Sequence, residues 1–276
     1  MAFNLVSGTF GNILFIVSVI KTKKLRTIGN AFLISMAVSD LGVAAFVTVS
    51  AITGALYGRE SFLQKPIPCH LIMSVAMVSC LVTIGSILLV SFHRFVIICF
   101  FCKRGKIFTR KSAGVMIAVT WVYGITCDLR YVMKWDNDGH GFDPKLEQCF
   151  YDRKADSWFL KSLSILTLVV ITVSYSGIFR FVKRHRHAMW KSATKERQNS
   201  IRLAYTLLLV VVVFFICAMP YVIVTFIDKA NLLPQGVYMF VMLLLFTGSA
   251  TNWIIYGLTN QRFQDAFKRT LCLSKN

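Results

Sequence analysis

Val75–Phe92 is a stretch of eighteen residues without a charge, and it runs straight into His93-Arg94. A helix of that length, at about 1.5 Å per residue, matches a hydrocarbon core about 30 Å thick. Extended back to Cys69, the same helix separates Cys69 from Arg94 by 25 residue steps, about 38 Å. Cys69 can then sit at one membrane face and Arg94 at the other. Charge beside hydrocarbon costs a few kcal/mol or more, so an arginine held at that boundary calls for a reason.

Comparable runs recur along the chain. With 56% hydrophobic residues and a mean hydropathy of +0.63, the composition lies outside the usual range of soluble domains. The expected fold is all-α, a seven-transmembrane helix bundle forming one domain over residues 1–276. The spans are placed at 5–20, 29–56, 69–99, 113–127, 158–181, 203–227 and 237–258. A short amphipathic helix at 260–271 follows the seventh. It sets Phe263, Phe267 and Leu271 four apart, with Arg262, Lys268 and Arg269 around them, and is expected to lie along the inner membrane surface. No cleavable signal peptide is expected, because the first apolar segment lacks a basic leader.

The net charge of +19 would suggest nucleic acid in a soluble protein, but its distribution excludes that partner. With the spans above, nine basic residues face nine acidic ones on one side. The other side holds twenty-two basic residues against Glu196 and Asp265, and Asp40 lies within the second span. The positive-inside rule assigns the basic loops to the cytoplasm. The expectation is a multi-pass protein of the plasma membrane with an extracellular N-terminus and anionic lipid at its inner face. No N-x-S/T sequon occurs, so N-glycosylation is not expected.

Polar residues inside spans usually face the bundle interior, where they are partnered or hydrated. Asn12, Asp40 and Asn252 are of this kind. Asp40 reads as an interhelical bond to Asn12 or Asn252, or as an ion- or water-linked switch centre, which does not exclude that bond. Pro220 removes one hydrogen bond from the sixth span and predicts a bend there. Cys69 and Cys149 are the two cysteines expected outside, where a bridge would pin the long polar loop 130–156 over the bundle. Cys80, Cys127 and Cys217 read as apolar packing. Cys99 and Cys102 lack a second ligand pair, so zinc is not expected. Cys272, after the amphipathic segment, is a candidate for S-acylation. A transporter would want repeats or several midplane charges, and the chain has one buried acid. An enzyme would want a nucleophile with its base, and all five histidines lie at span ends or in loops.

With these residues in order, the chain resembles a rhodopsin-like (class A) G-protein-coupled receptor over nearly its whole length. The matches are Gly11-Asn12, the Ser35–Leu41 run SMAVSDL with Asp40, Cys69 and Arg94 at the family's spacing, Trp121, Cys149, Tyr175, Phe214, Pro220, Asn252 and Tyr256. The wording of KKLRTIGN (Lys23–Asn30), FDPKLEQC (Phe142–Cys149) and NWIIYGLTNQRF (Asn252–Phe263) is similar to the melatonin-receptor group.

The resemblance implies a heterotrimeric G protein as cytoplasmic partner. It implies Arg94 as the residue met when the sixth helix swings out, with His93, Tyr175, Pro220, Asn252 and Tyr256 as the rest of the switch. It implies an interior sodium ion or water cluster at Asp40, Ser79, Thr83 and Asn252, and no other cofactor. The chain departs from the pattern in several places. His93 replaces the usual acid, Trp253 the usual proline, Ala218 the usual tryptophan of the sixth span, and Gly248 a usual polar partner. Ser200, with Glu196 one turn earlier, stands where a lock carboxylate can occur, so weak restraint of the inactive state is expected.

The ligand is narrowed by exclusion. The seventh span holds no lysine for a retinal Schiff base, and Ala76 stands where amine receptors carry their aspartate. Met73, Ala76, Met77, Tyr221, Thr225, Met242 and Phe246, capped by Phe150 and Tyr151, are expected to line an apolar, aromatic pocket for a small neutral amphipathic ligand. An N-acyl indoleamine such as melatonin is one candidate, although Arg153 stands near the place of a glutamine of that group. The alternative is a receptor-like protein that signals without ligand or not at all.

Overall fold

The computed structural model describes residues 1–57, 66–100, 107–132, 140–143, 148–151, 158–184, 195–228 and 232–272. Side chains at 55, 66–70, 130–132, 140–143, 148–151, 158–164, 195–200 and 202 are outside that description. Among the described residues, seven helices are long and apolar enough to cross a membrane.

The helices are α1 (Ala2–Lys21), α2 (Ile28–Gly42), α3 (Val49–Tyr57), α4 (Pro66–Cys99), α5 (Arg110–Val132), α6 (Trp158–Arg184), α7 (Lys195–Ile227), α8 (Gln235–Thr259) and α9 (Gln261–Thr270). A six-residue π-helical stretch, Val43–Thr48, joins α2 to α3, so the second span is one rod with a wide turn in its middle. No proline or charge marks that turn, and the sequence reading missed it. Gly42 precedes it where a Cβ would come within 3.0 Å of Ser79 Oγ, so the close approach of α4 favours glycine there.

The spans inferred from hydropathy fall inside these helices, and the discrepancies are at polar ends. α7 begins at Lys195 rather than 203, and α5 runs to Val132 rather than 127. Lys, Arg, Glu and Gln are good helix formers, so helices continue past the point where hydropathy drops. α4 starts at Pro66, and proline is tolerated in a first helical turn, where the amide is unpaired anyway. Side-chain caps set other starts. Thr109 and Ser112 exchange reciprocal bonds before α5: the Ser112 amide donates to Thr109 Oγ1 (3.1 Å) and the Thr109 amide to Ser112 Oγ (2.9 Å). Asn260 Oδ1 accepts from the Arg262 amide and opens α9.

α4 is the hub. It packs against α2, α5, α6, α7 and the π turn, and against a hairpin of β1 (His140–Asp143) and β2 (Gln148–Tyr151). The hairpin is antiparallel, pairing Phe142 with Cys149. It lies in the segment read from sequence as an irregular polar loop. Cys149 is thus held on a strand that packs against α4, but the expected Cys69–Cys149 bridge lies outside the described side chains. Ser35 ties three helices, accepting from Trp121 Nε1 of α5 at 3.1 Å and from Ser86 Oγ of α4 at 3.4 Å.

α1 seals against α8 through one helical face. Asn4 Nδ2 donates to the Leu243 carbonyl (3.2 Å) and Ser7 Oγ to the Ala250 carbonyl (2.9 Å). Trp253 Nε1 donates to Ser7 Oγ (3.1 Å). The indole lies over Gly11, where an added Cβ would fall 1.8 Å from its ring. Trp253 therefore fills the space that Gly11 vacates, edge-on to Phe10. The apolar face of α9 packs partly onto the bundle. Phe263 stacks on Phe15 of α1 and meets Tyr256, and Phe267 reaches Trp253, while Leu271 is exposed.

Gly11→Ala is expected to lower the thermal midpoint of the purified protein, since overpacking costs about 1–3 kcal/mol. In a Trp253→Ala background the same change should cost almost nothing. Additive losses in the double variant would show that the two side chains do not share this space.

Candidate functional site

The residues singled out from the sequence gather at three depths along α4. Deepest in the bundle, Asn252 Nδ2 of α8 donates to Asp40 Oδ2 of α2 at 2.9 Å. Of the two partners considered for Asp40, Asn252 is the one found. Asn12 turns back on its own helix and donates to the Gly8 carbonyl. Asp40 Oδ1 stays buried without a hydrogen-bond partner among the described residues. Beside it, Ser39 Oγ and Thr83 Oγ1 share a 2.8 Å bond, and Ser79 is buried. A bare carboxylate oxygen among hydroxyls is a hard-oxygen environment that suits a small cation or water. Among the described residues, no three His, Cys, Asp or Glu side chains group as a metal set.

Gly248, read as a missing polar partner, has a positive structural role. A Cβ there would lie 3.3 Å from Cys217 Cβ, so the glycine lets α7 and α8 touch. Pro220 sits inside α7, one residue past Met219, and leaves the Ile216 carbonyl without its helical donor.

At the Arg94 end, Arg94 is only 4% exposed, and its Nε and Nη2 have no partner among the described residues. The guanidinium lies against Gly29, where a Cβ would come within 2.5 Å of Nη2. His93 is buried edge-on between Phe108 (4.7 Å) and Phe32 (5.8 Å), with Nδ1 unpartnered. Tyr175 and Tyr256 are buried as well, each with its hydroxyl free of partners among the described residues. Two nitrogens of a buried cation and two buried phenols, unpartnered among the described residues, form a polar cluster that is costly to leave so. Ser200 and Glu196 lie outside the described side chains.

At the Cys69 end, Met73, Met242 and Phe246 join Val47, Ala51 and Tyr238 in one buried cluster, with Ala76 and Tyr221 packed against it. Met77 is buried elsewhere in the core, and Thr225 turns its hydroxyl to the Tyr221 carbonyl of its own helix. The side chains of Phe150 and Tyr151 lie outside the description. Tyr238 was missed from sequence although it is 0% exposed. Its hydroxyl donates to Asp228 Oδ2, whose carboxylate also accepts the amides of Leu232 and Leu233. A tyrosine one turn into an apolar helix, ten residues after an aspartate, is the signal that could have revealed it.

The order and depth of these residues have a match among known proteins. The family model for the 7 transmembrane receptor (rhodopsin family) aligns with residues 11–256. The chain belongs to that family. It is therefore a membrane receptor by descent and not an enzyme. The chain is similar to the melatonin receptor type 1C of Xenopus laevis, at 25% identity over 98% of this chain and 66% of the frog protein. Human melatonin receptor type 1B is 26% identical over 95% of this chain and 74% of its own length. The crystal structure of squid rhodopsin superposes with a TM-score of 0.78 at 18% identity, covering 99% of this chain and 85% of that one, which bears on the fold.

In this receptor the Asp40–Asn252 bond joins α2 to α8. Asn252→Ala is expected to destabilise the protein by about 1–3 kcal/mol, because it removes the amide donor from a buried carboxylate. Thermal unfolding in detergent reads the effect, and a midpoint within error of the parent would refute it.

Proposed function

We propose that residues 1–276 act as one receptor domain of the plasma membrane, with the N-terminus outside, coupling an extracellular small ligand to a heterotrimeric G protein. The observation that carries the reading is the buried guanidinium of Arg94 at the basic end of the central helix, whose Nε and Nη2 have no partner among the described residues, in the same buried cluster as Tyr175 and Tyr256. Nothing among the described residues satisfies these groups, so a change that opens the α7 end of the bundle gives them new partners. A partner peptide with backbone carbonyls or a C-terminal carboxylate supplies what Arg94 lacks.

Signal would enter at the Cys69 end, where Met73, Met242, Phe246 and Tyr238 meet α7 near Tyr221. Such a surface favours a neutral amphipathic molecule. Similarity to melatonin receptors makes an N-acyl indoleamine the first to try. Pro220 lies between this cluster and the cytoplasmic half of α7, so it is the natural bend through which the two communicate. A ligand panel with melatonin included, read by several G-protein sensors, tests the assignment. Arg94→Ala should abolish ligand-driven nucleotide exchange at equal surface expression, and unchanged exchange would overturn the role given to Arg94.

His93 gives this receptor a second character, signalling without ligand. Where a carboxylate would hold Arg94, an imidazole wedged between Phe32 and Phe108 offers no anionic charge. We therefore expect basal exchange above that of mock-transfected cells. His93→Glu should lower it by pairing Arg94, whereas His93→Gln should not. Equal basal rates in all three proteins would count against this restraint.

Asp40 Oδ1 would hold a sodium ion together with the hydroxyls of Ser79 and Thr83, next to Asn252. The ion would supply the positive charge that the buried carboxylate lacks. Sodium chloride is expected to raise the thermal midpoint relative to choline chloride, and Asp40→Asn to abolish the difference. Equal midpoints in the two salts for the parent protein would dismiss the ion.

A further inference from the structure

Gly29 lies in the first turn of α2, and Arg94 occupies the space that a side chain at that position would take. A Cβ there would lie 2.5 Å from Nη2 and 3.1 Å from Cζ of the guanidinium, and 3.0 Å from His93 Cε1. These approaches are inside van der Waals contact. Any side chain at Gly29 therefore forces the start of α2, His93 or Arg94 to move.

Two of the three are fixed. Thr27 caps α2, accepting from the Asn30 amide at 3.3 Å, and Asn30 Nδ2 donates to the Leu25 carbonyl at 2.7 Å. Leu25 is buried, so the first turn of α2 is tied back to the turn before it. The His93 ring is held edge-on by Phe32 and Phe108. Phe108 is held in turn, because Ser112 Oγ donates to the neighbouring Ile107 carbonyl at 2.8 Å. Arg94 has no such hold: its Nε and Nη2 bond nothing among the described residues. It is the group that yields.

Electrostatics does not favour its present place either. The start of a helix is the positive end, since the first amides lack helical acceptors, and a cation gains nothing by lying there. Arg94 is thus kept against α2 by shape, in a hollow that only glycine leaves. A guanidinium pushed out of the hollow moves away from α2. The phenols of Tyr175 on α6 and Tyr256 on α8 are then the groups within reach of its charge.

We propose that Gly29 is a positioning residue for Arg94: its missing side chain is a seat that keeps the guanidinium folded against α2, out of reach of a cytoplasmic partner, and filling the seat raises signalling. This is a restraint without an ion pair, the kind open to a chain with His93 in place of an acid. The signalling half rests on the G-protein reading above; the seat itself does not.

The test uses the full chain carrying isotope-labelled arginine, purified in detergent, and reads exchange of the Arg94 Nε–H with water. Loss of the signal in Arg94→Lys assigns it. Exchange is expected to be slow in the parent, where Nε is buried, and at least about 10-fold faster in Gly29→Ala. Gly114→Ala makes the same chemical change on α5, at a glycine with open space around it, and should alter the rate by less than about 2-fold. In cells at equal surface expression, Gly29→Ala should raise ligand-free nucleotide exchange at least about 5-fold over the parent, and Gly114→Ala less than about 2-fold. Should Gly29→Ala fail to fold, the double variant Gly29→Ala/Arg94→Lys removes the clashing fork and is expected to recover the parent's thermal midpoint; no recovery would overturn the seat. So would equal Nε–H exchange in Gly29→Ala and the parent. Faster Nε–H exchange with basal signalling unchanged, in cells where the parent answers a ligand, would overturn the positioning role. If no G-protein sensor responds to parent or variant with any ligand, the receptor reading falls, and the Nε–H rates alone decide the seat.

Discussion

In hydrocarbon a polar side chain has only other protein groups to bond with, and this bundle is assembled around that scarcity. Asp40 holds Asn252, Ser39 holds Thr83, Ser35 accepts from Trp121 and Ser86, and Ser7 stands between Ala250 and Trp253. Each pair joins helices far apart in sequence. Apolar side chains cannot provide such specificity, because lipid tails solvate a leucine as well as another leucine does. Small residues complete the scheme. Gly8 and Gly248 bring backbones close, and Gly11 makes room for the Trp253 indole.

Against this background the Arg94 end is anomalous. Asp40 Oδ1 is the bare atom in the middle of the bundle, whereas at this end Arg94, His93, Tyr175, Tyr256 and Ser91 all carry buried atoms without partners among the described residues. Groups of this cost persist where a structure trades local stability for a second arrangement. The aromatic wall of Phe32 and Phe108 around His93 keeps the cluster closed without supplying an anion. Closure by packing alone yields more readily than closure by an ion pair, because dispersion contacts fall away within a fraction of an ångström.

The sequence made the topology legible because hydropathy and charge asymmetry are long-range signals written over many residues. Arg94 followed from depth along a helix of known rise, Asp40 and Asn252 from being polar within apolar spans, and Tyr256 from the resemblance to the receptor family. What escaped notice was set by contacts between segments. The partner of Asp40 could be Asn12 or Asn252 until helix rotation was known. The π turn at Val43–Thr48 has no breaker residue to announce it. The 140–151 hairpin pairs short segments without clear alternation. Trp253 stood out only as a departure from a pattern, and its counterpart, Gly11, is visible only when α1 and α8 are laid together. Helix ends were placed short because hydropathy marks where lipid stops, while the backbone ladder continues into water.

Trp253 changes how the seventh span can move. A proline there would break one rung of the ladder and leave a swivel; tryptophan keeps its amide, and α8 is helical without interruption from Gln235 to Thr259. The indole also welds this part of α8 to Ser7 and Gly11, while Phe263 and Phe267 clasp the same region from below. Tyr256, three residues on, rides on that assembly. Its displacement is therefore the rocking of a three-helix plate rather than the twist of one rod, and whatever loads α1 or α9 from the membrane side weighs directly on how easily the plate tips.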